Sequence, residues 1–154
     1  MQSQFKLGIP KGSLEEATLA LFEKAGWKVR KHVRNYFPDI NDPELTARLC
    51  RVQEIPQYIQ DGVLDIALVG KDWLLERGVE FGGKEGSDAP VVVISDLVYS
   101  KVSNRKARWV LAVAGDSPYK TAKDLEGKRI STELVGVCRR YFEEQGVNVQ
   151  ISYS

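Results

Sequence analysis

The stretch Gly62-Val63-Leu64-Asp65-Ile66-Ala67-Leu68-Val69-Gly70-Lys71-Asp72-Trp73-Leu74-Leu75 constrains the fold more than any other. Its unbroken apolar run from Ile66 to Val69, framed by Gly62 and Gly70, is the pattern of a short strand buried on both faces, as in a parallel sheet. That predicts an α/β chain with helices on both sides of an open sheet. Gly70 allows a tight turn, and Lys71-Asp72 leads into a helix expected to stop near Gly78. A strand that ends in glycine and hands over to a helix is where open α/β sheets bring free amides and the helix dipole to a ligand. Gly70, Lys71 and Asp72 are therefore candidate site residues.

Two more junctions share this form. Phe5 to Ile9 alternates and runs into the loop Pro10-Lys11-Gly12-Ser13, where Lys11 and Gly12 could hold a phosphate. Ser13 and Glu16 have the spacing of a capping box, with Leu14, Ala17, Leu21 and Ala25 on one helical face before Gly26; an ordinary capped helix explains this junction equally well. Near the other end, Lys128 to Ser131 reads as a strand, and Thr132-Glu133 opens a helix with apolar Val137, Tyr141 and Phe142, stopped by Gly146. Val147 to Tyr153 then alternates as a last strand.

Between these junctions, Trp27 to Arg34 is a basic edge strand, and Asn35 to Pro43 reads as a loop from its prolines, Asp and Asn. Leu45 to Val52 is a strand with Arg51 at its far end. Glu54-Ile55-Pro56 starts a helix that tolerates proline in its first turn and stops at Gly62. Phe81 to Pro90 looks like a mobile surface insertion, Val91 to Ile94 and Leu97 to Tyr99 resume the strand pattern, and Arg108 to Ala114 is expected as another buried strand. Ser103-Asn104-Arg105-Lys106 is the expected boundary, dividing the chain into 1–104 and 105–154.

Balance excludes several classes. Twenty-two Lys plus Arg offset twenty-one Asp plus Glu in 154 residues, so no bulk charge invites nucleic acid or an anionic membrane. Two cysteines without CxxC spacing suggest neither a disulfide framework nor zinc. Met1 to Leu7 is too polar for a signal peptide and no apolar run approaches a membrane span, which predicts a cytoplasmic protein. No nucleophile with a base, HExxH, GxxxxGK[ST] or GxGxxG is present. What remains is three strand-to-helix junctions plus Arg51, a set that suits a polyanionic ligand held by positioning and charge.

Four ordered blocks resemble the ATP phosphoribosyltransferases, the first enzymes of histidine biosynthesis. They are Leu7 to Leu14, Cys50 to Pro56, Asp61 to Asp72, and Leu125 to Thr132 with Arg139-Arg140-Tyr141-Phe142. The resemblance implies a two-lobed fold of the type II periplasmic-binding-protein kind. It further implies ATP and phosphoribosyl pyrophosphate as substrates, Mg²⁺ with the pyrophosphate, and a homo-oligomer that takes a regulatory subunit in the family's short form. N1 of the adenine would attack C1 of phosphoribosyl pyrophosphate, releasing pyrophosphate, with no covalent enzyme intermediate. By matching position, Lys11 and Arg51 would contact phosphates or nucleotide, Lys71 and Asp72 would line the cleft, and Thr132 with Glu133 would face it from the second lobe. No residue is assigned as a catalytic base or as a metal ligand.

This sequence departs from the family pattern twice. Ser13 stands where the family often has arginine. The family's ribose-phosphate loop would lie beyond Tyr153, so an incomplete second lobe and poor or no turnover by this chain alone are expected. The alternative from another class is a non-catalytic small-molecule binding domain of the same fold, which ligand choice would distinguish: an amino acid or small acid instead of a purine nucleotide.

Overall fold

A computed structural model describes residues 4–82, 89–99 and 108–154. The chain is mixed α/β, and a parallel sheet of order β4–β1–β5 organises its first part. Strand β1 (Phe5–Lys11) lies at the centre, in register with β4 (Leu45–Arg51) from Phe5 opposite Leu45 to Lys11 opposite Arg51. On its other edge Leu7 and Gly8 pair with β5 (Ile66–Ala67). Alternation sends Leu7, Ile9, Ala47 and Leu49 to one face, where Leu19 and Phe22 of helix α1 (Glu15–Lys24) cover them. Cys50 faces the other way, into a cluster with Leu64 and with Ile55, Tyr58 and Ile59 of helix α2 (Ile55–Gln60). Helices thus cover both faces. Right-handed crossovers demand this arrangement, because the chain moves one way from β1 to β4 and the opposite way from β4 to β5.

Glycine at position 8 is a packing requirement. A Cβ there would stand 2.6 Å from Leu64 Cδ1 and 2.9 Å from the Ala67 Cβ. Only a bare backbone lets the α2–β5 connection lie on the central strand.

Several expectations change. The run Ile66 to Val69 is not a strand buried on both faces: β5 is two residues long, sits at the sheet edge, and leaves Ile66 37% exposed. The residue that buries is Leu64, while Asp65 closes the start of the pairing by accepting the Lys6 amide on Oδ2. The predicted loop Asn35 to Pro43 contains strand β3 (Asn35–Ile40), antiparallel to β2 (Val29–His32). Pro38 is tolerated because the ladder is irregular between Arg30 and His32, so its missing N–H interrupts nothing. β1 continues through Pro10 to Lys11, which delays α1: its N-cap is Leu14 with no side-chain cap, and the Ser13–Glu16 box does not form. The inner face of α1 is Thr18, Leu19 and Phe22, and Ala25 is exposed.

Beyond helix α3 (Lys71–Glu76), strand β6 (Phe81–Gly82) pairs in parallel with β7 (Val91–Val92), so two residues of the predicted insertion belong to a sheet. Its remaining core, 83–88, lies outside the described residues, as does the boundary at Ser103 to Lys106. Residues 93–99 are irregular; Tyr99 hydrogen-bonds to the buried Thr18 hydroxyl at 2.8 Å. Since that hydroxyl donates to Leu14 O at 2.7 Å, Tyr99 is the donor. Arg108 to Ala114 is not a strand, and Trp109, Val110, Leu111 and Val113 are exposed. An apolar run becomes a strand only with a pairing partner, and none is present among the described residues.

The last part is a β–α–β unit. Strand β8 (Arg129–Thr132) and strand β9 (Gln150–Tyr153) pair in parallel, connected by helix α4 (Val135–Gln145), whose C-cap Gly146 has φ 67°. Leu125, Phe142 and Val147 form its core. Thr132 does not cap α4, which starts three residues later; its hydroxyl accepts the Leu134 amide at 3.1 Å. The box that does form is upstream, where Asp124 Oδ2 accepts the amides of Lys120 and Thr121. These bonds hold the Asp124 carboxyl below its ordinary range. Among the described residues no helix is long and apolar enough to cross a membrane.

Candidate anion site at the strand ends

Two neighbouring strands of the sheet, β1 and β4, finish together. Lys11 ends β1 and faces Arg51 across the ladder, while β5 stops opposite Gly8 and the chain leaves it with the Leu68 amide donating to Gly8 O. Lys11 and Arg51 continue the rows Leu7–Ile9 and Ala47–Leu49, so alternation places both side chains toward the α1 face. Both are exposed, and neither has a carboxylate within ion-pair distance among the described residues. Two adjacent uncompensated cations repel each other and favour an anion between them. Gly12 follows with φ 104°, a left-handed conformation open to glycine, and Ser13 is exposed in the same turn. The ammonium of Lys11 stands 4.6 Å over the Tyr36 ring, so the hairpin β2–β3 reaches the strand ends and steadies that cation.

The α3 junction is more fully occupied. Gly70 has φ −68°, an ordinary value, so the tight-turn reason for glycine fails. Its reason is steric: a Cβ would stand 2.2 Å from Asp72 Oδ1. That oxygen accepts the Trp73 amide at 2.9 Å, and Oδ2 accepts the Trp109 indole N–H at 2.9 Å. Lys71 pairs with Asp96 at 2.6 Å. Asp72 thus ties the segment after residue 107 to the start of α3.

The third junction docks elsewhere. Glu76, at the last turn of α3, accepts the amides of Gly136 at 2.9 Å and Val137 at 2.8 Å, and Arg140 donates to Leu75 O. Thr132 and Glu133 therefore adjoin the opposite end of α3 from Gly70. The ladder brings Lys11, with Gly12 and Ser13 after it, beside Arg51; Gly70, Lys71 and Asp72 form the start of α3, and Thr132 and Glu133 adjoin its other end. Tyr36 is not legible as a site residue in the sequence, because it lies on β3, in a stretch that reads there as a loop. An open groove of about 620 Å³ runs along β3 past Phe37, Asp39 and Asp42 on the flank of the sheet. Chemistry favours the strand ends over that groove, since the groove carries acids and the ends carry free cations.

A family model described as HisG: ATP phosphoribosyltransferase matches residues 51–154. The ATP phosphoribosyltransferase of Nitratidesulfovibrio vulgaris (strain Hildenborough) is 66% identical over 154 residues, all of this chain and 49% of that protein. Those of Solidesulfovibrio magneticus and Chlorobium luteolum are 57% and 50% identical, over 99% and 97% of this chain and 48% and 47% of theirs. The chain spans about half the length of the curated relatives it matches. Among solved structures, the ATP phosphoribosyl transferase (HisG:HisZ) complex from Thermotoga maritima has a TM-score of 0.60 at 22% identity, covering 98% of this chain and 64% of that one.

Proposed function

The chain belongs to the ATP phosphoribosyltransferase (HisG) family, and we propose that it serves that enzyme's chemistry by holding substrate phosphates at the ends of β1 and β4. The observation that carries this reading is the uncompensated pair Lys11 and Arg51, fixed opposite each other by the ladder beside Gly12. In the proposed reaction, adenine N1 of ATP forms a bond to C1 of phosphoribosyl pyrophosphate while the C1–O bond breaks and its electron pair leaves on pyrophosphate. The chain's part is to align phosphates and offset their charge, which needs fixed cations and no nucleophile or base of its own.

Mg²⁺ belongs to this proposal only as an ion carried by substrate phosphates. The described residues contain no group of three or more His, Cys, Asp or Glu able to hold a metal, and both oxygens of Asp72 are engaged. Few protein ligands are needed where phosphates supply them. The reading extends to two lobes, 1–104 and 105–154, of the type II periplasmic-binding kind, and to assembly as a homo-oligomer or with a regulatory subunit, in the cytoplasm.

Calorimetric titration with ATP, AMP and phosphoribosyl pyrophosphate in Mg²⁺ tests the proposal. Arg51→Ala is expected to weaken nucleotide binding roughly tenfold to a hundredfold, from about 1.5–3 kcal/mol for a hydrogen bond to a charged group. Equal affinity in the variant, or capture of amino acids instead of nucleotides, would overturn it.

A further inference from the structure

We infer that Tyr36 is a positioning residue of the strand-end site, its ring holding the Lys11 ammonium where substrate phosphates are proposed to bind; the inference rests on that reading. The ammonium lies over the Tyr36 ring, 4.6 Å from its centroid. The ladder fixes the backbone of Lys11 opposite Arg51, but the lysine side chain is a flexible stem that the ladder does not hold. Among the described residues its ammonium makes no hydrogen bond and no ion pair, so the ring is what gives it a direction.

An aromatic partner suits this purpose where a carboxylate would not. Lys31 and Lys71 each meet a carboxylate oxygen at 2.6 Å, from Glu15 and Asp96, which offsets the charge they could offer a ligand. A ring attracts a cation through its quadrupole and has no net charge, so it orients the ammonium and leaves the positive charge to an anion. Tyr36 is itself held in place through the hairpin. The ring of Phe37, next to it on β3, lies 5.6 Å from the guanidinium carbon of Arg48 on β4. From β2, Lys31 reaches Glu15 in the first turn of α1, and the Glu15 amide donates to Gly12 O at 3.1 Å. The hairpin is thereby tied to the turn that follows Lys11 as well as to β4.

Calorimetric titration with ATP in Mg²⁺ tests this through Tyr36→Leu, Tyr36→Phe, Lys11→Ala and the double variant that combines Tyr36→Leu with Lys11→Ala. Tyr36→Leu is expected to weaken ATP binding about twofold to fivefold, the worth of a cation–π contact at an exposed site. Tyr36→Phe keeps the ring and should keep the affinity. Because Tyr36 acts through Lys11, Tyr36→Leu should cost nothing more once Lys11→Ala is present, an outcome that general loosening of the hairpin would not give. Equal ATP affinity in Tyr36→Leu, a loss as large in Tyr36→Phe, or a loss that persists undiminished beside Lys11→Ala would overturn the inference; the last would mean that the ring touches the nucleotide itself. A Lys11→Ala variant that binds ATP as well as the unsubstituted chain would instead overturn the phosphate reading, and this inference with it. Tyr36 is 55% exposed, so leucine there leaves the core intact, which matching thermal unfolding of the two Tyr36 variants checks.

Discussion

The β4–β1–β5 sheet and the β8–α4–β9 unit are both parallel α/β arrangements, yet they treat their ligand-facing ends in opposite ways. In the first, β1 is paired along both edges and covered on both faces, and its strand end presents Lys11 and Arg51 without counter-charges. In the second, one pair of strands carries one helix, and the helix N-terminus is already filled by the Glu76 carboxylate. The difference teaches that a strand-to-helix junction is an anion site only if the protein leaves it empty. The dipole and free amides that would attract a phosphate at α4 instead attract a side chain from α3. The charge that a ligand would bring is supplied internally, and the junction becomes a joint between the two regions.

The largest effect expected tests whether the two regions are independent. Phe142 is 1% exposed and central to the small core with Leu125 and Val147, so Phe142→Ala is expected to cost about 3–5 kcal/mol. Native-state hydrogen exchange should then show lost protection in α4 and β9 with β1 amides still protected. Equal loss in β1 would make the chain one cooperative unit. The joint itself is worth less. Glu76→Ala removes both amide acceptors at α4, with an expected loss of about 1–2 kcal/mol by analogy with helix caps. Gly136→Ala attacks the same place sterically, since its Cβ would lie 2.9 Å from Glu76 O. If both variants raise exchange at Gly136 and Val137 while leaving nucleotide affinity unchanged, the joint is separate from the strand-end site.

Much of the architecture was legible because local patterns agreed with it. Pro56 in the first turn of α2, Arg51 at the end of β4, Gly146 closing α4 and helices on both faces all follow from neighbours in sequence. β3 was missed because Pro38 is a strand breaker unless the opposite ladder is irregular, and that irregularity is a property of two strands together. The strand predicted from Ile66 failed for a related reason: apolar composition specifies burial, and Leu64 achieves it by packing on Gly8 without extending the ladder. In the candidate site, Lys11 and Arg51 could be named from strand ends. The engagement of Asp72 by Trp109, thirty-seven residues away, and of α4 by Glu76, sixty away, could not. Periodicity states which face is apolar and leaves open which distant donor arrives there.

The smallest expected effect gives the comparison a sign. Burial pushes both thiols, Cys50 and Cys138, above their ordinary range, but the neighbouring charges differ: Arg48 pulls Cys50 down against a smaller opposing push from Glu54, whereas Glu76 pushes Cys138 further up. Because the folded values are raised, the neutral thiols contribute stability that is fully present below the ordinary cysteine range and is lost as pH rises through the folded values. Removing the charges should move the two cysteines in opposite directions. Arg48→Gln takes away a cation that favours thiolate, so Cys50 should titrate higher; Glu76→Gln takes away an anion that opposes it, so Cys138 should titrate lower. The ¹³Cβ shifts of labelled cysteine followed through a pH series read both midpoints without requiring the buried sulfur to react. Movement of both midpoints in the same direction would mean that altered burial outweighs charge, and that the two regions do not differ in the electrostatic way their contacts indicate.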